Sequence, residues 1–155
     1  MWFGEMMTEV KKNYTSAIPM TSDGKILLQR KTQDYPFWPN CFATFGGGIK
    51  NGESPLESIT REFRKETGID LENPMDFCEQ IFLDESKLGE RKTRNGIIYW
   101  FASELNGNIG DIKITEGAGY KIFSENELKR LSEKNLIVPY QYETIRKFFE
   151  GLRGK

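Results

Sequence analysis

Two glutamates four residues apart, Glu62 and Glu66 in "REFRKE", are the residues of this chain best placed by type and spacing to do chemistry. On a helix they stand one above the other, where an unrelieved like-charge pair is mildly destabilising. A bound hard cation reverses that sign, because Mg²⁺ and Mn²⁺ favour carboxylate and carbonyl oxygens. Arg61 precedes the first acid and can reach back to Glu53, which locks the side chains. Upstream lie three consecutive glycines, Gly46 to Gly48, whose backbone can turn tightly and offer a carbonyl to the same ion. A generic pair of this kind is more often an exposed charged helix after a turn, so the pair alone does not decide.

The rest of the composition narrows the chemistry. The chain has no histidine, which removes Ser-His-Asp and Cys-His catalysis and every His-ligated metal site. Acid–base or metal work therefore falls to carboxylates and lysines. A net charge of −1 lacks the basic footprint of a protein that binds nucleic-acid polymers. No apolar run approaches the ~20 residues of a membrane span, and the opening "MWFGEMMTEVKK" has no continuous apolar core of a signal peptide. Cys41 and Cys78 form no CxxC pair and read as two packed thiols in a reducing, cytoplasmic setting. At 155 residues one domain, 1–155, is expected, with a core that needs neither disulfide nor structural metal. A homodimer is left open.

The elements that must position the acids follow from pattern. Residues 13–20 and 26–31 read as strands around the turn Ser22–Lys25, and the prolines at 36 and 39 make residues 32–40 a loop. "CFATF" is a short strand running into the glycines. Ser54, Pro55 and Glu57 spell a capping box with proline at the first helical position. Leu56, Ile59 and Phe63 mark a buried stripe, the acids look outward from another side, and Gly68 stops the helix. Residues 75–84 and 96–105 read as longer strands joined by a charged loop at 85–95. A strand at 119–123, a capped helix from Ser124, and an amphipathic helix at 139–152 complete the chain. That last helix carries Ile145, Phe148, Phe149 and Leu152 on its apolar side. Sparse helices among hairpins suggest a mixed sheet with helices on both faces, an α/β fold.

Gly47, Glu53, Arg61, Glu62, Phe63, Glu66, Gly68 and Ile69 together resemble the Nudix box, G-x5-E-x7-R-E-U-x-E-E-x-G-U, with eight of nine specified positions matched. "TEGAGYKIFS", residues 115–124, resembles the K-E-G-Q…W-M-S region of the MutT-like branch. The resemblance implies a Nudix α/β/α sandwich and Mg²⁺- or Mn²⁺-dependent hydrolysis of a nucleoside diphosphate linked to another moiety. It implies metal ligands in the Gly47 carbonyl, Glu62, Glu66 and Glu116, with Arg61 and Glu53 orienting them. It leaves the general base open among Glu62, Glu116, Glu85 and Glu90. Substrate contacts are expected from Arg30, Lys65, Tyr140 and Gln141, and the partner is a small nucleotide.

Lys65 stands where the box carries its first paired glutamate. At ~6 Å and an effective dielectric near 20, two unit charges interact by roughly 3 kcal/mol, so the exchange matters. Either the site holds fewer or weaker metal ions with Lys65 aiding a phosphate, or the domain binds nucleotides without cleaving them. Tyr35, Phe37 and Trp38 offer rings to a base or to the core, and Lys87, Arg91, Lys92 and Arg94 offer cations to phosphates or to solvent.

Overall fold

The structure is a computed structural model and describes residues 8–85, 92–106, 109–113 and 117–154. Its element order is β1 (Thr8–Lys11), β2 (Tyr14–Met20), β3 (Ile26–Arg30), β4 (Phe42–Ala43), β5 (Phe45–Gly48), α1 (Pro55–Thr67), β6 (Glu72–Glu85), β7 (Lys92–Glu104), β8 (Tyr120–Phe123), α2 (Glu125–Glu133) and α3 (Pro139–Arg153). A short 3₁₀ turn, Ile109–Asp111, lies between β7 and β8.

One mixed sheet runs β1-β7-β2-β3-β4, with β5 added to β2, β6 to β7 and β8 to β3. β2 runs parallel to β7, Tyr14 opposite Ile98 through Met20 opposite Glu104, and antiparallel to β5, Thr15 opposite Gly47. Period-2 alternation sends neighbouring residues to opposite faces. Ala17, Leu27 and Phe101 point to a core with Phe45 of β5 and Ile59 and Phe63 of α1, while Ile18, Ile26, Leu28 and Trp100 pack on Leu128, Ile145 and Phe149 of α2 and α3. The result is the α/β/α layering expected from the sequence.

α1 forms where its signals stand. Ser54 Oγ accepts from Glu57 N at 3.1 Å, and Glu57 Oε1 accepts from Ser54 N at 3.0 Å, closing the capping box. Gly68, left-handed at φ 78°, ends the helix and donates its N–H to Arg64 O. Ile59 and Phe63 are buried, each contributing about 2 kcal/mol by removal from water, and the Phe63 ring meets Phe45 edge-on at 5.7 Å.

Four expectations need correction. Leu56 is 46% exposed and Leu152 43% exposed, so neither belongs to a buried stripe. Each sits at the end of its helix, beyond the reach of the sheet. Glu62 and Glu66 do not look outward, since they are 8% and 6% exposed and lie under β5. The "CFATF" stretch divides: Phe42–Ala43 pairs with β3, whereas Phe45 and the glycines pair with β2. Residues 92–95 are strand rather than loop, paired with both β6 and the unanticipated β1. The remainder of the expected charged loop, residues 86–91, lies outside the described residues. No helix among the described residues is long and apolar enough to cross a membrane.

Candidate functional site

The glycines explain how two carboxylates come to lie beneath a strand. A Cβ on Gly46 would stand 1.9 Å from the Thr15 carbonyl oxygen, so β5 can approach β2 only without one. A Cβ on Gly47 would stand 2.6 Å from the carboxyl carbon of Glu62. The space a side chain would fill is occupied by the Glu62 carboxylate, which brings it against the Gly47 backbone.

One turn along α1, Glu66 accepts from Gly46 N at 2.8 Å through Oε1 and from Gln29 Nε2 at 3.3 Å through Oε2. Gln29 is itself buried and also donates to Thr44 O. Burial pushes the Glu66 carboxyl up to about 7, and the charge of Glu62 pushes the same way, while Lys31, Gly46 N–H and Gln29 oppose them.

Arg61 braces the pair from the outside. Its Nε and Nη2 fork onto Glu53 Oε2 and Oε1 at 2.7 and 2.9 Å, Nη1 donates to Glu62 Oε1 at 2.6 Å, and Nη2 reaches Gly48 O at 3.3 Å. Such charge-assisted forks fix orientation as well as energy. The Arg61 contact, helped by Lys50 N–H, holds the Glu53 carboxyl down to about 2, and Glu53 in turn raises the Arg61 guanidinium. Lys65 stands with Nζ 4.0 Å from Glu62 Oε2 and its side chain 57% exposed.

The donor set fits a hard divalent cation: buried carboxylate oxygens beside a strand backbone, with no sulfur or imidazole among them. Among the described residues no group of three or more carboxylates is assembled. The third acid expected here, Glu116, lies outside the described residues, as does Glu90. At Gly117 an added Cβ would meet Arg30 O at 2.7 Å and Gln29 Oε1 at 3.5 Å. Ala118 N donates to the same Arg30 carbonyl. Glu85 is exposed at the end of β6.

Beside the glycines opens a cleft with about 190 Å³ of free space, lined among others by Thr15, Lys31, Tyr35, Gly46, Gly47, Arg94, Tyr140 and Gln141. Tyr140 and Gln141, from which a substrate contact is expected, both line it. Gln141 Oε1 accepts from Thr44 N at 2.9 Å, and Tyr140 Oη donates to Asp84 Oδ2 at 2.7 Å. Burial, with the Asp84 charge, raises the Tyr140 phenol above its usual range. Arg30 does not line this cleft. Its Nε donates to Asn40 O at 3.2 Å and its guanidinium lies over Phe42.

Sequence reasoning missed Asp84 and misplaced Arg94. They face each other across the β6–β7 ladder, Arg94 Nε donating to Asp84 Oδ2 at 3.0 Å. Trp38 Nε1 donates to Asp84 Oδ1 at 2.9 Å, and Phe37 stacks under the Arg94 guanidinium at 4.2 Å. All three loop aromatics therefore touch this ion pair, Tyr35 through its Oη, which accepts from Arg94 Nη1 at 3.4 Å, and Tyr35 also lines the cleft. The inward alternation Gln80, Phe82, Asp84 was the signal that could have placed Asp84 on the core side.

Comparison with known proteins follows the same outline. The NUDIX domain profile matches residues 11–148. The chain is 49% identical over 47 residues to an uncharacterized Nudix hydrolase of Yersinia pestis, covering 30% of this chain and 26% of the relative. It is 29% identical over 90 residues to the uncharacterized Nudix hydrolase YvcI of Bacillus subtilis, covering 58% of this chain and 52% of the relative. The matches thus span about half or less of these relatives. In fold, the chain superposes on a MutT protein from Methanosarcina mazei with a TM-score of 0.72 at 21% identity, covering 92% of this chain and 96% of the other. With the family profile covering most of its length, the chain belongs to the Nudix family.

Proposed function

We propose that the protein is a divalent-metal-dependent hydrolase of nucleoside diphosphates linked to another group, acting on a triphosphate or a nucleotide sugar. The observation that carries this reading is the pair of buried carboxylates, Glu62 and Glu66, held against the backbone of Gly46 and Gly47, two glycines that line the cleft.

Glu62, Glu66, the Gly47 carbonyl and Glu116 are assigned as ligands of Mg²⁺ or Mn²⁺. Support for Glu116 comes from its neighbour in sequence, Gly117, whose backbone lies beside Gln29, the residue that holds Glu66. A bound divalent cation supplies Lewis acidity to the diphosphate and to the attacking water. Arg61 and Glu53 keep the Glu62 carboxylate in place while charge builds on phosphorus. Lys31, on the cleft wall, and Lys65, beside Glu62, offer ammonium groups to phosphate oxygens. The attacking water's proton passes to a carboxylate, one of Glu62, Glu116, Glu85 and Glu90. Water adds to phosphorus, the anhydride P–O bond breaks, and the leaving phosphate departs with that bond's electron pair.

A panel of nucleoside triphosphates, nucleotide sugars and dinucleotides, each with Mg²⁺ or Mn²⁺, tests the proposal. At least one should be cleaved at its anhydride, and Glu66→Gln should abolish that cleavage. A variant turning over like wild type would remove the metal assignment. A second reading, nucleotide binding without cleavage, rests on the Lys65 ammonium 4.0 Å from Glu62 Oε2. Tight binding across the panel with no cleavage would select it.

A further inference from the structure

We propose that Lys12 holds the outermost phosphate of the substrate, at the Gly48 end of the cleft, and so makes the site prefer a nucleoside triphosphate to a nucleotide sugar. The inference rests on the proposed function, because it chooses between the two substrate classes named there.

The space beside Gly48 carries it. A Cβ on this residue would stand 2.3 Å from Lys12 Cε and 2.6 Å from Lys12 Nζ, so the end of the lysine lies on the bare backbone of the third glycine. Gly47 and Gly48 are neighbours in β5, and neighbouring positions of a strand face opposite ways. The position left open by Gly47 is filled by the Glu62 carboxylate, on the α1 side. The one left open by Gly48 is filled by an ammonium on the other side, that of its ladder partner Tyr14, which lines the cleft. With a carbon–carbon bond of about 1.5 Å and about 3.8 Å between consecutive Cα atoms, the ammonium is at most about 8 Å from the Gly47 Cα. A polyphosphate whose diphosphate is seated at Gly47 reaches it with its next phosphate. The root of the side chain is fixed as well. Lys12 N donates to Asn95 O at 3.1 Å, and the next residue, Asn13, accepts from Ile49 N at 2.9 Å.

Charge decides what Lys12 holds. It is exposed, and its ammonium makes no ion pair or hydrogen bond with any described residue. The acids beside it are taken, since Arg61 forks onto Glu53 and pairs with Glu62. Arg94 is cancelled by Asp84, and Lys31 stands over the Tyr35 ring at 4.5 Å. The Thr44 end of the cleft presents neutral groups, Ser16, Thr44 and Gln141. A terminal phosphate, with close to two negative charges, is drawn to the compact ammonium, and the uncharged nucleoside is left the neutral end. A sugar in place of that phosphate offers hydroxyls and gains no ion pair. Because the lysine is exposed, the expected preference is roughly fivefold.

Calorimetric titration of the full chain with ATP and with ADP-glucose tests this, with Ca²⁺ in place of Mg²⁺ so that binding is read rather than turnover. The two ligands share one base, so their ratio isolates the outer group. Wild type should bind ATP roughly fivefold more tightly. Lys12→Ala should lose that factor for ATP and leave ADP-glucose unchanged. Gly48 has no left-handed φ, and the atoms its Cβ would meet belong to the flexible end of Lys12. Gly48→Ala should therefore fold, displace the ammonium and show the same selective loss. The two changes together should cost no more than either alone, since they remove one contact. ATP and ADP-glucose weakened equally by Lys12→Ala, or neither weakened, would overturn the inference, as would additive losses in the double variant. Should Gly48→Ala not fold, the Lys12→Ala ratio decides alone. Cleavage of a panel substrate with that ratio unmoved would leave the hydrolase standing and remove the inference. A Lys12-dependent preference for ATP with no cleavage of any substrate would do the reverse.

Discussion

Replacing Glu66 by glutamine should stabilise the metal-free protein at alkaline pH while destroying its response to metal. Burial raises the Glu66 carboxyl from 4.5 to about 7, so the folded state holds this proton more tightly than the unfolded chain does. The resulting stability is present in full below about pH 4.5 and is lost as pH rises through about 7. Above that range the ionised carboxylate costs about 3 kcal/mol relative to a group that never ionises. Glutamine keeps an acceptor for Gly46 N–H but turns an amide toward Gln29, which offsets part of the gain. For a domain of this size, 1 kcal/mol moves Tm by about 2–4 °C, so the ceiling is roughly 10 °C. The assay is a pair of thermal melts in EDTA, at pH 4.5 and pH 8. Wild type and Glu66→Gln should melt close together at the lower pH, with the variant higher at pH 8. Added Mg²⁺ should raise wild type through mass action and leave the variant unmoved. A variant that melts at or below wild type at pH 8 in EDTA would refute the reasoning.

Gly47→Ala places a methyl 2.6 Å from the Glu62 carboxyl carbon, so the carboxylate must move. Steady-state assays should show a loss on the order of 10²-fold in turnover, with the fold intact by circular dichroism. Lys65→Glu exchanges an ammonium 4.0 Å from Glu62 Oε2 for a carboxylate and should tighten Mg²⁺ binding several-fold after solvent screening, as titration calorimetry would show. Asp84→Ala leaves Arg94 buried without its counter-charge and should cost about 3–5 kcal/mol in urea unfolding.

Much of the architecture was legible because its signals are local. Ser54, Pro55, Glu57 and Gly68 bound α1 through short-range capping, and that geometry is met in the fold. The two strands expected around the turn Ser22–Lys25 are likewise met in β2 and β3. What escaped was long-range. The outward orientation assigned to Glu62 and Glu66 followed from a single helix considered alone, whereas β5 covers that side only because its glycines let it approach. β1 pairs through its backbone with β7, more than eighty residues away, and no pattern in "TEVK" announces it. Arg94 was read in a charged loop, facing phosphate or solvent, and the ladder register that joins it to Asp84 is set by the whole sheet. Of the residues expected to contact substrate, Tyr140 and Gln141 line the cleft, whereas Arg30 donates to Asn40 O and its neighbour Lys31 lines the cleft.

The most direct test is a crystal structure of the protein with Mn²⁺ and a non-hydrolysable nucleotide, using anomalous scattering to locate the metal. An anomalous peak bridging Glu62, Glu66 and the diphosphate, with the Gly47 carbonyl and Glu116 turned toward it, is the expected result. A diphosphate bound in the cleft with no ion between those carboxylates would contradict the account.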